Sequence, residues 1–209
     1  MKKILFLAFI LCFGFTLTSG AQSPEKAQVA NVNNYLVGAV PEKNGQVVFE
    51  QTYAVPGKSQ SELFATLKTY AQSIVEGENR LPHSRITEIS PEQGIIAASV
   101  EETLWFKRTA LVSDFASFSY QLLFEVSDAQ FKVTMRRLRY NYEQSDNADD
   151  NNVMLAEEWI TDKEALKKNG TQLRRGTSKK LRIGTINRKN EIFQGAGVAC
   201  GLPTAHSAF

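Results

Sequence analysis

Histidine and cysteine are almost missing: the chain has two of each in 209 residues. His83 and His206 stand far apart in sequence, so they offer no ligand spacing for a shared metal centre. A Ser-His-Asp or Cys-His arrangement would have to rest on His83 alone, which follows Leu81-Pro82 and reads as an exposed loop residue. Cys12 lies in the first apolar stretch and Cys200 near the other end. With the leader removed, one thiol remains and no intramolecular disulfide can form. Cys200 sits in GAGVACGLPTAHSAF, a run of small residues that reads as a loose tail, residues 200–209, and its thiol as a bystander. An excess of charge is lacking too. The 24 Lys and Arg stand against 22 Asp and Glu. Without Lys2 and Lys3 the count is level at 22 each, which argues against nucleic acid as a partner. Beyond the first residues there is no apolar run long enough to cross a bilayer.

That first run is MKKILFLAFILCFGFTLTSGAQS. Lys2 and Lys3 precede a short apolar core, and Ser19-Gly20-Ala21 places small residues where a signal peptidase reads them. The pattern is that of a secretory signal peptide over residues 1–21. Cys12 follows bulky Ile10 and Leu11, which excludes lipid attachment there. The expected product has 188 residues and belongs in the periplasm or cell envelope, not as a lipoprotein. That length suits one domain.

The mature chain opens with polar, Asn-rich residues 22–34, a flexible lead-in, and a single domain is expected over residues 35–199. YAVPGKSQSELF, from Tyr53, has the look of a phosphate loop. A true loop of that kind needs Gly five residues before Gly57, where Thr52 stands. Ser59-Gln60-Ser61-Glu62 instead fits a helix capping box. Leu63, Phe64, Leu67, Ala71, Ile74 and Val75 follow at helical spacing. QVVFEQTYAV before it alternates as a strand, as do RITEIS, IIAASVEETLWF, FSYQLLFEV and FKVTMRRLRYNY after it. Thr161 to Glu164 reads as a second capping box, and residues 177–199 as a last helix weakened by Gly184, Gly195 and Gly197. The order is strand, helix, four antiparallel strands, helix: an α+β fold in which helices cover the apolar face of a curled sheet.

Chemistry-bearing groups are sparse. Glu101 and Glu102 are neighbours on a strand and so point to opposite faces. Glu157-Glu158 beside Trp159 reads as charged surface before a buried ring. MRRLRYNY interleaves bases and aromatics, which offers Arg137, Arg139, Tyr140 and Tyr142 as an interaction face. Residues 167–189 hold nine bases and no acid, and residues 143–164 hold eight acids and one base. The two blocks can neutralise each other, or the basic one can face an anionic surface. No catalytic, cofactor-binding or metal-binding set is expected.

The segments YLVGAVPEKNGQVVFEQTYAVPGKSQSELF, AEEWITDKEAL and GTINRKNEIF resemble secreted bacterial domains of unknown function with a TBP-like fold. The resemblance runs from about residue 35 to about residue 198. One departure is Ala129-Gln130, where the family pattern has Gly and Arg. The resemblance implies a helix-grip-related fold and export, and no activity. By analogy of shape, the space between sheet and helix could hold an apolar or lipid-like ligand, lined by Phe49, Tyr53, Phe64, Leu67, Tyr120 and Phe124. The alternative is contact with an envelope protein through an exposed strand face.

Overall fold

The computed structural model describes residues 31–109, 111–142 and 153–204. The expected signal peptide, most of the expected lead-in, residue 110, the acidic stretch 143–152 and the last five residues lie outside them. The elements run β1 (Glu42–Lys43), β2 (Gln46–Ala54), α1 (Gln60–Val75), β3 (Arg85–Ser90), β4 (Ile95–Arg108), β5 (Ser113–Ser127), β6 (Gln130–Asn141), β7 (Met154–Leu155), α2 (Ala156–Trp159), α3 (Asp162–Ala165) and α4 (Thr177–Ala199). One antiparallel sheet takes the order β1-β2-β6-β5-β4-β3, with β7 added on β6. The expected strand, helix, four strands, helix is therefore present, with short elements added. Register shifts in the β3–β4, β4–β5 and β5–β6 pairings mark bulges, which bend strands and increase twist.

Alternation sets the two faces of the sheet. Ala116, Phe118, Tyr120, Leu122, Phe124 and Val126 of β5 all point inward and are buried. Ile96, Ala98, Val100, Glu102 and Leu104 do the same on β4. α1 covers this face with the six apolar residues named from its spacing. Its N-terminus carries the capping box: Ser59 accepts from the Glu62 amide, and Glu62 accepts from the Ser59 amide at 2.9 Å. A cap of this kind is worth ~1 kcal/mol. At Thr161 the expected second box does not form. Its hydroxyl donates back to the Glu157 carbonyl at 3.2 Å, and α3 spans only four residues.

α4 lies beside α1 on the same face. Three glycines in a helix interior cost ~1 kcal/mol each against alanine. Burying Leu181, Ile186, Ile192 and Phe193 returns ~1.5–3 kcal/mol apiece, so packing wins. The glycines are also where neighbours come closest. A Cβ on Gly195 would overlap the Tyr70 hydroxyl, and one on Gly184 would lie 3.1 Å from both Leu104 and Phe106. The helix ends in a Schellman motif. Leu202 N–H donates to Gly197 O at 3.0 Å and Gly201 N–H to Val198 O at 2.9 Å. The tail is thus ordered through this cap: Cys200 is buried and Leu202 packs on the core. Burial pushes the Cys200 thiol up to about 11, which fits a bystander. At the other end, residues 32–35 form a 3-10 turn capped by Asn31, so the lead-in stops short of the boundary read from composition.

Arg182 joins these parts. It is fully buried in α4 and donates from Nε to Tyr35 O at 2.7 Å. Nη1 reaches Ile160 O at 2.5 Å, and Nη2 reaches Leu36 O at 2.7 Å and Asp162 Oδ1 at 2.6 Å. Asp162 Oδ2 accepts the Gly38 amide at 2.8 Å. One guanidinium therefore ties α4, α3 and the N-terminal segment. Its removal strands three carbonyls and a carboxylate. Arg182→Ala and Arg182→Lys are both expected to lose ~3–5 kcal/mol in urea denaturation, because a lysine cannot reproduce the fork. A loss below ~1 kcal/mol in the lysine variant would show that charge alone suffices.

Candidate functional site

The sheet–helix space is filled. Phe49, Phe64, Leu67, Tyr120 and Phe124 are buried in one continuous core cluster, and Tyr53 packs against it. Tyr53 stacks on Phe131 with ring centres 5.0 Å apart, and Phe124 meets Tyr70 edge-on. These six side chains are core and do not line an internal cavity. Tyr53 alone among them reaches an open pocket, a groove of about 380 Å³ shared with Gln51, Asn190, Phe193, Gln194, Gly197, Leu202 and Pro203.

The Arg/Tyr strand does not present a face. Gln121 stands opposite Arg136 and Ser119 opposite Arg139, so two residues of β6 share the place of one. Arg137 occupies the bulge with φ +58. Alternation resets there. Arg139 points outward, while Leu138 and Tyr140 point into the core, each 1% exposed. The Tyr140 hydroxyl lies 2.6 Å from Thr185 Oγ1, and burial raises its pKa. Tyr142 donates to Asp114 at 2.7 Å and accepts from Lys180 at 3.0 Å. A bulge costs no change in composition, so no reading of the strand by strict alternation could have found it.

The carboxylates separate as strand geometry requires. Glu101 faces out and meets His83 at 2.8 Å, on a ring whose side chain is 81% exposed. Glu102 faces in and is buried. Arg188 grips it at 2.8 and 2.7 Å, and Tyr120 donates to it at 2.9 Å. Burial works against the Arg188 charge, yet bonding to Glu102 holds its pKa above the ordinary value. Burial, then the Glu102 charge, raises Tyr120. This triad braces α4 against β4 and leaves no free acid–base pair. Glu157 is spent likewise, accepting the Val47 amide at 2.7 Å.

The basic block is mostly consumed inside the fold. Arg182 and Arg188 are paired as described, and Lys180 bonds Asp114 at 2.6 Å. Arg174 caps the Leu166 and Lys163 carbonyls, and Lys167 bonds Gln172. Lys189 lies over the Phe49 and Phe193 rings, and burial lowers its pKa. Lys168, Arg175 and Lys179 remain, with no ion pair among the described residues, and the last two line one cleft. It has a volume of about 590 Å³ and is bounded by Trp105, Phe106, Gly176, Lys180, Ile183, Gly184 and Asn187. The end of β4 supplies the aromatic wall, and Arg175 with the first turn of α4 the basic one. Gly176 is the N-cap and offers no side chain to the helix amides. Among the described residues, no cluster of His, Cys, Asp and Glu is arranged to hold a metal ion. No described helix is long and apolar enough to cross a membrane.

Residues 49–141 match the profile of DUF4468, a domain of unknown function with TBP-like fold. Over 84% of this chain and 98% of the other, the structure superposes on a DUF4468 family protein from Bacteroides ovatus ATCC 8483, with TM-score 0.74 and 33% identity. A TBP-like protein from Parabacteroides distasonis ATCC 8503 shares the fold at 18% identity and TM-score 0.61, over 77% of this chain and 96% of that one. No protein of curated function matches.

Asp114 ties the cleft's Lys180 to Tyr142. The Lys180 bond holds its carboxyl below the usual range, against a smaller opposing effect of burial. A lowered folded pKa stabilises above the unfolded value, ~4, and the gain fades as pH falls through the folded one. Asp114→Asn should therefore lose stability in urea at pH 7 and match the parent near pH 2. An equal deficit at both would mean that the carboxylate charge contributes nothing.

Proposed function

Because the chain belongs to the DUF4468 family of domains of unknown function with a TBP-like fold, we propose that it acts as an exported binding module of the cell envelope. The proposal rests on the leader pattern of residues 1–21 and on one structural observation. The core is closed, while an open cleft with an aromatic and a basic wall lies beside it. Recognition then belongs to the ends of α4 and not to the space between sheet and helices. Glu102, Arg188, Tyr120 and Glu157 are tied to one another or to backbone, which favours binding over catalysis.

A second reading, contact with an envelope protein, draws on the sheet face that no helix covers. Lys132 there pairs with Glu125 at 2.9 Å and Glu50 at 3.6 Å, and Arg136 bonds Gln121 at 2.8 Å. The charges of such a face are already paired with one another, so it ranks below the cleft.

Native mass spectrometry of the protein released from the periplasm of its own host tests the proposal. The expected result is a chain beginning at Gln22, carrying a small molecule that organic extraction removes. A chain that keeps its leader and stays in the cytosol would overturn export. A ligand-free mass from every preparation would overturn the small-molecule reading and favour the sheet face, to be examined by cross-linking.

A further inference from the structure

Of the nine bases between residues 167 and 189, most neutralise or cap groups within the fold; of the three that do not, Lys168 is exposed away from the cleft, and Arg175 and Lys179 meet at it. Both are exposed, and neither has an acidic partner among the described residues. No acid lines the cleft. Lys180 also lines the cleft, but its charge is met by Asp114 at 2.6 Å, so the unpaired charge there is that of Arg175 and Lys179. The opposite wall is apolar. Trp105 and Phe106 are half-buried, and Ile183 continues the surface along the helix. Trp105 is held by its indole N–H to Asn79 at 3.2 Å and by Phe115 at 5.0 Å between ring centres. Phe106 is held edge-on by Tyr142 at 5.9 Å. Both rings are therefore fixed before any ligand arrives, which lowers the entropic cost of binding. Gly184 keeps the floor low where a larger side chain would press on Leu104 and Phe106. At the far end Asn187 accepts from the Tyr35 hydroxyl at 2.7 Å, and its amide nitrogen has no acceptor among the described residues.

We propose that this cleft binds a small amphipathic anion: one carboxylate, sulfonate or phosphate group on an aromatic or branched apolar body. The volume of about 590 Å³ is within the ordinary range for small-molecule sites. The two walls act on different parts of the ligand. Arg175 and Lys179 take the anion, Arg175 by a two-pronged contact that suits planar or tetrahedral oxyanions. Trp105, Phe106 and Ile183 take the apolar body. A neutral apolar compound would leave the basic wall unmatched, and an inorganic anion would leave the rings wet. A polyanion is disfavoured, because the bases outside the cleft are paired or dispersed.

This inference rests on the binding-module reading, and the two can fail separately. A neutral ligand found on the natural protein would keep the module and end the anion assignment. A cytosolic protein would end the export reading and leave the cleft's chemistry standing.

The probe is 1-anilinonaphthalene-8-sulfonate, titrated by fluorescence into the folded protein at low salt, with N-phenyl-1-naphthylamine as its uncharged counterpart. We expect one saturable site for the sulfonate, at least ~10-fold tighter than the neutral compound. Charge reversal at two exposed residues, Arg175→Glu with Lys179→Glu, should weaken the sulfonate at least ~10-fold and leave the neutral probe within ~2-fold, at ~1–3 kcal/mol per lost charge-assisted contact. Trp105→Ala should weaken both probes. An unchanged urea midpoint in the charge-reversed variant excludes unfolding as the cause. Equal binding of the two probes, or full sulfonate binding by the charge-reversed variant, would overturn the proposal. So would adherence to vesicles of anionic phospholipid with no binding of the soluble sulfonate, since that would place the ligand at a surface and not in the cleft.

Discussion

A fully buried guanidinium is stable only when its donors are met, and Arg182 has oxygen partners on two separate stretches of backbone, residues 35–36 and Ile160. That requirement fixes more than one contact. It sets how deep α4 sits, brings residues 35–38 alongside it, and holds Asp162 where its second oxygen can accept from Gly38. The first turn of α4, which carries Lys179 and follows Arg175, is positioned by what happens at Arg182 a turn further on. The basic wall of the cleft is thus a consequence of a buried charge that had to be satisfied.

The inner face of the sheet shows the same economy of space. Phe118 stacks between Tyr120 and Tyr140, with ring centres 4.8 and 5.1 Å away. Tyr53 covers Phe131, and Tyr70 reaches across α4 to the Ile192 carbonyl at 2.9 Å. With aromatic rings packed this closely, a helix gripped by a sheet leaves no room for a ligand. Open volume lies outside the core, in a groove at the C-terminal half of α4, a cleft at its start, and a pocket at the Gln130 end of β5 and β6. Helix-grip shape by itself therefore says little about an internal cavity. The size of the side chains that face inward decides it.

Charge in this chain works chiefly as internal bracing. Glu102 with Arg188 joins β4 to α4, Asp162 with Arg182 joins α3 to α4, and Asp114 with Lys180 joins β5 to α4. Each base is on the same helix and each acid comes from a different element. A single basic helix thereby gathers three acidic anchors around it. Isolated surface pairs contribute ~0–1 kcal/mol, but pairs with one or both partners buried cannot be broken one partner at a time without stranding a charge. Mutual neutralisation of the acidic and basic blocks occurs at Asp162 and Arg182, while Lys180 and Arg188 find acids elsewhere in the fold.

The sequence determined the strand and helix order, the capping box at Ser59, the inward row of β5 and the opposite facing of Glu101 and Glu102. Each is a local matter of periodicity or of hydrogen bonds within a few residues, and periodicity survives whatever the chain packs against. It also carried the family resemblance. It did not reveal that Tyr140 is buried and Arg139 exposed, because a bulge at Arg137 shifts the phase by one residue at no cost in composition. The second capping box failed because α3 is too short to need one and Thr161 had a nearer carbonyl. Three glycines looked like defects in α4 until Tyr70, Leu104 and Phe106 were seen lying against two of them. Which bases are braces and which are left over was decided only by tertiary structure. An arginine's partner is chosen by what lies within about 3 Å of its nitrogens in the folded chain, and Arg182 meets Tyr35 across an interval of 147 residues.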